Sequence, residues 1–586
     1  MLKEVYIMRK LDGISIFEGI TIAETIYSKR KKEKIKIFKI SSDGIEEEIQ
    51  RFKEAILDSK NQIKKLIESL NGKIDESDIK ILNVHLMMLE DPVFLSDITN
   101  KIKIEKLNVE AIVNEVVKKY VGMFKALNDP VYKQRALDIE DVGEKIISNL
   151  QGKYLVLEEL DEKILVAQDL KPSLLLNYYN MGKKLKGIIL EMGGETSHVA
   201  ILAKTLGIPT LMKVKGIDSV DWNEIGKVIL NTTKKNGFII VEPTKDEIGK
   251  YKYKKENFYK QQNELESLIG ETIRTKDDEK ITINANLGAI KGLENIEKYK
   301  PDGIGLFRTE FIYMDSNDFP LEEEQFEIYK KVTEEQGVEK ELIIRTLDIG
   351  GDKKLNYFNL PEEDNPFLGL RAIRLSLKNP NIFKTQLRAI LRASYYGNLK
   401  IMYPMISSLK ELRNANEILE QVKDEMRRKK EKFNEKIEIG IMIEVPSATI
   451  ISDVLIEEVD FFSIGTNDLT QYILASDRLS DTVSEIYDGY HPAVMRSINM
   501  VAENAIAKEK KVSVCGEMAG EPMAILAFLS FGIKDFSMLP SLTLKIKKII
   551  KRINLNELGE IKVKLLKAKT AEEIRQILKK YLAGVM

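Results

Sequence analysis

The chain is poor in the side chains that most often carry chemistry. It has one cysteine, Cys515, in 586 residues, which excludes an intrachain disulfide and a cysteine-cluster metal site. Its three histidines, His85, His198 and His491, leave little imidazole for catalysis or metal binding. The single tryptophan, Trp222, reads as a packing residue. Neither sign of charge is in surplus: 91 basic and 92 acidic residues give a net charge of -1. That balance argues against nucleic acid as the main partner, because such domains usually carry a basic excess. No apolar run approaches the roughly 20 residues that cross a bilayer. Glu4, Arg9, Lys10 and Asp12 break up the opening segment, so it does not read as a signal peptide. The expectation is a cytoplasmic protein without membrane insertion.

Hydrophobic residues at 43% and charged residues at 31% fit a chain with real cores. At roughly 150 residues per domain, the length predicts about four domains, or fewer if one is a large barrel. ISIFEGITIAETIYS reads as short strands, and the basic run at 29–39 as a solvated edge strand. Residues 44–151 read as helices. Ile49, Phe52, Ile56, Ile63, Leu66 and Ile67 recur mostly three or four apart on one face. Asp75 or Ser77 can cap a helix that runs to Leu89, EDPVF punctuates it, and two further helices fall around 109–127 and 131–150. Such a series predicts a bundle. Residues 152–243 alternate short apolar runs (YLVLEEL, KILVAQDL, KGIILEM, KVILNTT) with helical stretches, a small α/β domain. Residues 246–269 are highly charged and read as an exposed connecting helix that tolerates motion of the domains it joins.

From about Glu271 onward, eight apolar runs alternate with helical segments: ITINANL, GIGLF, ELIIRTL, KIMYPM, EIGIMIE, DFFSIG, VSVCGE and DFSML. Eight buried parallel strands make a (β/α)8 barrel. Chemistry in such barrels sits where the strands end. Arg308, Arg345, Asp348, Glu444, Asn467, Asp468, Cys515 and Glu517 all fall at or just after strand ends, with Arg371, Arg374 and Arg478 in the segments between. Several guanidiniums at one mouth suit a phosphate or carboxylate, which an arginine fork matches in a bidentate way. Glu444 and Asp468 on adjacent strand ends suit Mg2+, which takes one or two carboxylates plus water and substrate oxygens. The predicted ligand is a small phosphorylated acid. The residues leave two readings of Cys515 open, a small buried hydrophobe or, at a strand end facing that site, a thiol that can donate a proton at neutral pH.

A second informative segment is GGETSHVAILAK, residues 193–204. Two glycines make a tight turn, Thr196 or Ser197 can cap the following helix, and His198 falls in its first turn. The helix dipole and free N–H groups there favour a phosphate. The residues alone leave two readings of His198 open, a phosphoryl acceptor or a structural histidine. His85 on an apolar helix face and His491 before Pro492 read as non-catalytic.

Taken in order, GIGLFRTEFIYM, RTLDIGGDK, NPFLGLRAIR, GIMIEVPSA, DFFSIGTNDLTQYILASDR and VCGEMAG resemble enzyme I of the bacterial phosphoenolpyruvate-dependent sugar phosphotransferase system. HLMMLEDPVF and RALDIEDVGEKI extend the resemblance through the helical segment. It implies an α/β multidomain chain. An N-terminal α/β phosphohistidine domain (1–24 and 149–245) would carry an inserted helical HPr-binding bundle (25–148). A linker helix (246–270) and a C-terminal (β/α)8 barrel that binds phosphoenolpyruvate and dimerises (271–586) would follow. It further implies that His198 is phosphorylated; that Arg308, Arg345, Asn467, Asp468 and Arg478 bind phosphoenolpyruvate; that Glu444 and Asp468 hold Mg2+; that Cys515 protonates the leaving enolate; and that the carrier protein HPr takes the phosphoryl group. Departures from the family pattern cluster near His198: Glu195 replaces the usual Arg, and Leu175 replaces a Thr whose hydroxyl can hydrogen-bond the histidine. Leu479 and Ser480 replace Gly-Asn, and FEGITIA lacks a Pro-Gly. A dikinase or phosphoenolpyruvate synthase shares the histidine and the barrel, but the helical insert occupies the space before the His loop. The same motifs also suit a divergent paralogue serving another HPr-like acceptor, or a regulatory homologue that transfers nothing.

Overall fold

The computed structural model describes residues 10–585 apart from 29–34, 71–75, 127–129, 153–160, 195–196, 359–362 and the single positions 171, 223, 315, 352, 354, 356, 479, 481 and 484. The chain forms two compact units, Met1–Gln261 and Gln262–Met586.

In the first unit, β1 (Lys10–Phe17) and β2 (Ile20–Ser28) precede α1 (Ile45–Leu70), α2 (Glu76–Glu90), α3 (Pro92–Glu105), α4 (Val109–Ala126) and α5 (Pro130–Leu150). There follow β3 (Ile164–Ala167), α6 (Pro172–Asn180), β4 (Gly187–Leu190), α7 (His198–Thr205), β5 (Thr210–Met212), β6 (Lys227–Asn231), β7 (Asn236–Ile240) and α8 (Lys245–Glu266). The strands close into a barrel in the order β1-β5-β4-β3-β2-β6-β7. Side chains alternate across it: Ile188 and Leu190 join the core shared with the helices, and Ile189 joins the core around Trp222. Trp222 is buried there and donates from Nε1 to the Ile217 carbonyl at 2.8 Å. Closure brings backbones close. Gly13 and Gly237 face each other across the β1–β7 seam. A Cβ at Gly13 would stand 2.8 Å from the Met212 carbonyl, and one at Gly237 2.8 Å from that of Asn231.

Four readings of this unit change. EDPVF ends one helix and also starts another: Pro92 occupies the first turn of α3, and Asp91 Oδ1 accepts from the Val93 and Phe94 N–H groups at 2.8 Å each. Ser77 lies inside α2, while Asp75 is outside the described residues. Within the basic run, the described residues 35–39 form no strand. Asn108 holds that stretch instead, bonding the Phe38 N–H and the Lys36 carbonyl, and Lys39 makes an isolated bridge to Leu107. The charged helix α8 is docked along its first half: Tyr251 is buried against Ile20 and Ile229.

In the second unit, a two-residue strand β8 (Ile273–Arg274) pairs antiparallel with β9 (Lys280–Leu287). The parallel strands β10 (Ile304–Arg308), β11 (Leu342–Arg345), β12 (Leu399–Tyr403), β13 (Glu438–Ile443), β14 (Phe461–Ile464), β15 (Lys511–Val514) and β16 (Asp535–Met538) return to β9. Each of the eight apolar runs is one barrel strand. They read as largely apolar runs because helices cover the outside and Leu306, Ile343, Met402, Met442, Phe461 and Cys515 fill the inside. At the end where the strands begin, Glu341 pairs with Lys400 and Lys511 at 2.8 Å each, and Lys511 reaches Asp535 at 2.9 Å. No helix among the described residues is long and apolar enough to cross a membrane.

Candidate functional site

Register builds the site in the second unit. Parallel pairing sets Arg308 opposite Arg345 at the ends of β10 and β11. It sets Ile443 opposite Ile464, and Ile464 opposite Val514. Glu444, Gly465 and Cys515, the residues that follow, therefore arrive at one level. Gly465 N donates to the Ile443 carbonyl, and Cys515 N to that of Ile464, at 3.1 Å each. A Cβ on Gly516 would come 1.9 Å from the Thr466 hydroxyl, so glycine is what lets these two strand ends approach.

The rim is a dense charge network. The Arg345 guanidinium is buried between Glu310, to which it hydrogen-bonds, and Asp348 Oδ2 at 3.0 Å. Lys353 reaches the same Glu310 at 2.6 Å and Asp348 at 3.3 Å. Arg371 bridges Asp348 Oδ1 at 3.0 Å and Asp468 Oδ2 at 3.2 Å and donates to the Tyr472 hydroxyl at 3.0 Å. Burial pushes the Glu310 and Asp348 carboxyls up, but Arg345 and its cationic neighbours outweigh it and hold both below the usual carboxylate range. Burial opposes the charge on Arg345 too, and Glu310 and Asp348 more than restore it. Asn467 exchanges two hydrogen bonds with Glu517, at 2.9 and 3.0 Å. Arg478 Nη1 lies 3.8 Å from Asp468 Oδ1. Arg308 is exposed and makes no ion pair or hydrogen bond among the described residues.

Two groups deviate from their ordinary acidity toward the neutral form. Burial, then the charges of Asp468 and Asp348, push the Glu444 carboxyl up to about 8, although its Oε1 accepts from the Met405 N–H at 2.7 Å. Burial pushes the Cys515 thiol up to about 11, and its sulfur rests 3.6 Å from the Ile464 carbonyl. Asp468 Oδ1 is buried without a hydrogen-bond partner. A crowded pair of carboxylates with an unsatisfied oxygen fits a hard divalent cation. Among the described residues no group of three or more His, Cys, Asp or Glu is placed to hold a metal. A cation here would therefore need oxygens from water or a ligand.

The histidine loop lies in the first unit. Gly193 turns it with φ 99°, Ser197 caps α7 by accepting from the Ala200 N–H at 3.3 Å, and His198 is the first helical residue. Leu175 on α6 is 1% exposed and packs in the core that includes Val199 and Leu202. Glu195, Thr196 and Leu479 lie outside the described residues.

Comparisons with known proteins agree in order along the chain. Residues 12–135 match the model "PEP-utilising enzyme, N-terminal", 160–246 "PEP-utilising enzyme, mobile domain" and 262–555 "PEP-utilising enzyme, PEP-binding domain". The chain is 39% identical to a phosphoenolpyruvate-protein phosphotransferase of Listeria innocua, covering 100% of both. It is 37% identical to that of Bacillus subtilis, covering 97% of this chain and 98% of the relative. The chain belongs to the phosphoenolpyruvate-protein phosphotransferase family.

The structure brings Arg345, Glu444, Asn467, Asp468, Arg478 and Cys515 together at one rim, with Arg308 beside Arg345. Arg374 leaves the group: it donates to the Leu368 and Gly369 carbonyls and faces Glu411. Glu310 and Lys353 enter it. Their signals were RTE, two residues past Arg308, and the lysine that ends DIGGDK. His491 caps the next helix, accepting from the Ala493 N–H at 3.1 Å. His85 is buried in the bundle with Nε2 3.8 Å from Asp138.

Proposed function

We propose that this chain moves the phosphoryl group of phosphoenolpyruvate to its own His198, releases pyruvate, and passes the group to a carrier protein of the HPr type, the first step of a sugar phosphotransferase system. The observation that carries the reading is the rim itself. Five cations (Arg308, Arg345, Lys353, Arg371, Arg478) stand among five carboxylates (Glu310, Asp348, Glu444, Asp468, Glu517), so most of the positive charge is already engaged. An anion with a phosphate and a carboxylate needs further positive charge. Arg308, free of partners among the described residues, supplies part of it.

Glu444 and Asp468 would hold Mg2+, which supplies charge neutralisation on the transferring phosphoryl oxygens. Arg308, Arg345 and Arg478 orient the phosphate, and Asn467 and Asp468 fix its register beside them. Transfer breaks the bond between phosphorus and the enol oxygen and forms one between phosphorus and an imidazole nitrogen of His198. The electron pair left on the enolate takes a proton at the methylene carbon from Cys515, which keeps its proton at neutral pH because it is buried. Ketonisation draws the enolate off into the stable keto form, pyruvate. The helical insert would dock HPr. Met87 and Val93, 70% and 61% exposed on neighbouring insert helices, offer apolar anchors. A homodimer through the barrel would cover exposed Ile450, Val454 and Met500. We place the reaction in the cytoplasm, where phosphoenolpyruvate is made.

Incubation with labelled phosphoenolpyruvate, Mg2+ and HPr tests this. Wild type should acquire an acid-labile label that His198→Ala lacks, and should pass it to HPr. No label on the wild type sinks the enzymatic reading; label retained in the presence of HPr points to another acceptor.

A further inference from the structure

Asn467, Asp468 and Arg478 lie on or just after one helix, Thr466–Leu474, and the chain that follows is fastened from outside the rim. The last helix, Ala571–Val585, sends Arg575 to Asp488 as a two-pronged pair, Nη2 to Oδ1 at 2.6 Å and Nη1 to Oδ2 at 2.7 Å. Its guanidinium lies 4.8 Å over the Tyr490 ring. Asp488 in turn accepts from the Tyr490 N–H at 2.9 Å. The two tyrosines of this segment then reach two different strand ends. Tyr487 donates to the Asn467 carbonyl at 3.1 Å, after β14. Tyr490 donates to Glu521 at 2.6 Å, after β15, in the stretch that also holds Glu517 against Asn467.

We propose that Arg575 is a positioning residue for the phosphoenolpyruvate site, acting through Asp488 to hold Tyr487 and Tyr490 and, through them, Asn467 and the Glu517–Glu521 stretch. The inference rests on the function proposed above. The geometry separates this role from packing. Ile574 and Leu578 on the same helix are fully buried and hold it to the barrel wall, so the helix stays docked without the Arg575 fork. The fork is only partly exposed, 30% for Arg575 and 21% for Asp488, and it is planar and bidentate, the arrangement in which an ion pair fixes direction as well as distance. A lysine keeps the charge and loses the fork.

The test uses the full-length chain and compares KM for phosphoenolpyruvate with kcat for HPr phosphorylation. Arg575→Ala should raise KM by about tenfold, with a smaller change in kcat and in melting temperature, since misplacing a binding group by a fraction of an ångström is felt in binding. Arg575→Lys should fall between. Asp488→Asn should match Arg575→Ala, and the double variant should be no worse than either single one. Ile574→Ala, which loosens the helix by packing alone, should lower the melting temperature and leave KM near wild type. A KM unchanged in Arg575→Ala, a double variant equal to the product of the singles, or Ile574→Ala raising KM as much as Arg575→Ala would each overturn the inference. A wild type that takes no label from phosphoenolpyruvate would overturn the parent reading instead.

Discussion

Cys515 shows what position does to one side chain. The same thiol on a surface would be a partly ionised nucleophile; here burial pushes it from 9.0 up to about 11 and keeps it a proton donor. Cys515→Ala should slow pyruvate release by about a hundredfold or more, because the enolate loses its acid. Assaying pyruvate against transient His198 phosphorylation separates the two steps. The pH dependence has a definite sign. A group whose folded pKa is raised adds stability that is complete below its unfolded value and disappears as pH climbs through the folded one. Cys515 should therefore cost the fold stability between about pH 9 and 11, and denaturant titrations of wild type and Cys515→Ala should converge across that window. Glu195 belongs to the same scale. A carboxylate beside an incoming phosphate repels it, so Glu195→Arg should speed His198 phosphorylation several-fold in stopped-flow assays, and an unchanged rate would mean that the carboxylate points away.

Elements carry the next set of effects. Asp91 satisfies two N–H groups at the start of α3, and Asp91→Ala should cost about 1 kcal/mol in urea unfolding. Glu310 sits at the start of the short helix after β10 and holds both Arg345 and Lys353. Glu310→Gln leaves those cations short of a partner in a buried place, so stability should fall by about 3–5 kcal/mol and KM for phosphoenolpyruvate should change with it. Glu341 offers the contrast. It pairs with Lys400 and Lys511 at the opposite end of the same strands, so Glu341→Gln should lower the melting temperature with KM unaltered. The rim carboxylates Glu310 and Asp348 are held below their usual range. Their stabilisation is present above about pH 4.5 and lost as pH falls below it.

For the whole molecule, every rim residue comes from Gln262–Met586 and the histidine loop from Met1–Gln261. A fragment spanning 262–586 should bind phosphoenolpyruvate in calorimetry with an affinity close to that of the full chain, and should form no phosphohistidine. EDTA should abolish labelling of the intact protein, with Mg2+ restoring it.

The amino-acid order alone predicted the barrel, because strands covered on both faces read as short, largely apolar runs between helices, and there are eight of them. It also named most of the rim, because parallel strands all end at one side and their next residues must meet there. It marked His198 through glycine, cap and helix start. Folding decided what local pattern cannot encode. Arg371 and Arg374 stand three residues apart in one segment, yet one is buried between Asp348 and Asp468 while the other binds loop carbonyls, since Arg371 is in extended backbone just before the helix that holds Arg374, and the chain turns between them at Ala372 with φ 50°. Glu310 became central only when register set Arg345 beside β10. The closure of β1 onto β7, the docking of α8 and the reach of Arg575 to Asp488 across 87 residues likewise depend on contacts distant in sequence. Such contacts form where the folded backbone brings two surfaces together.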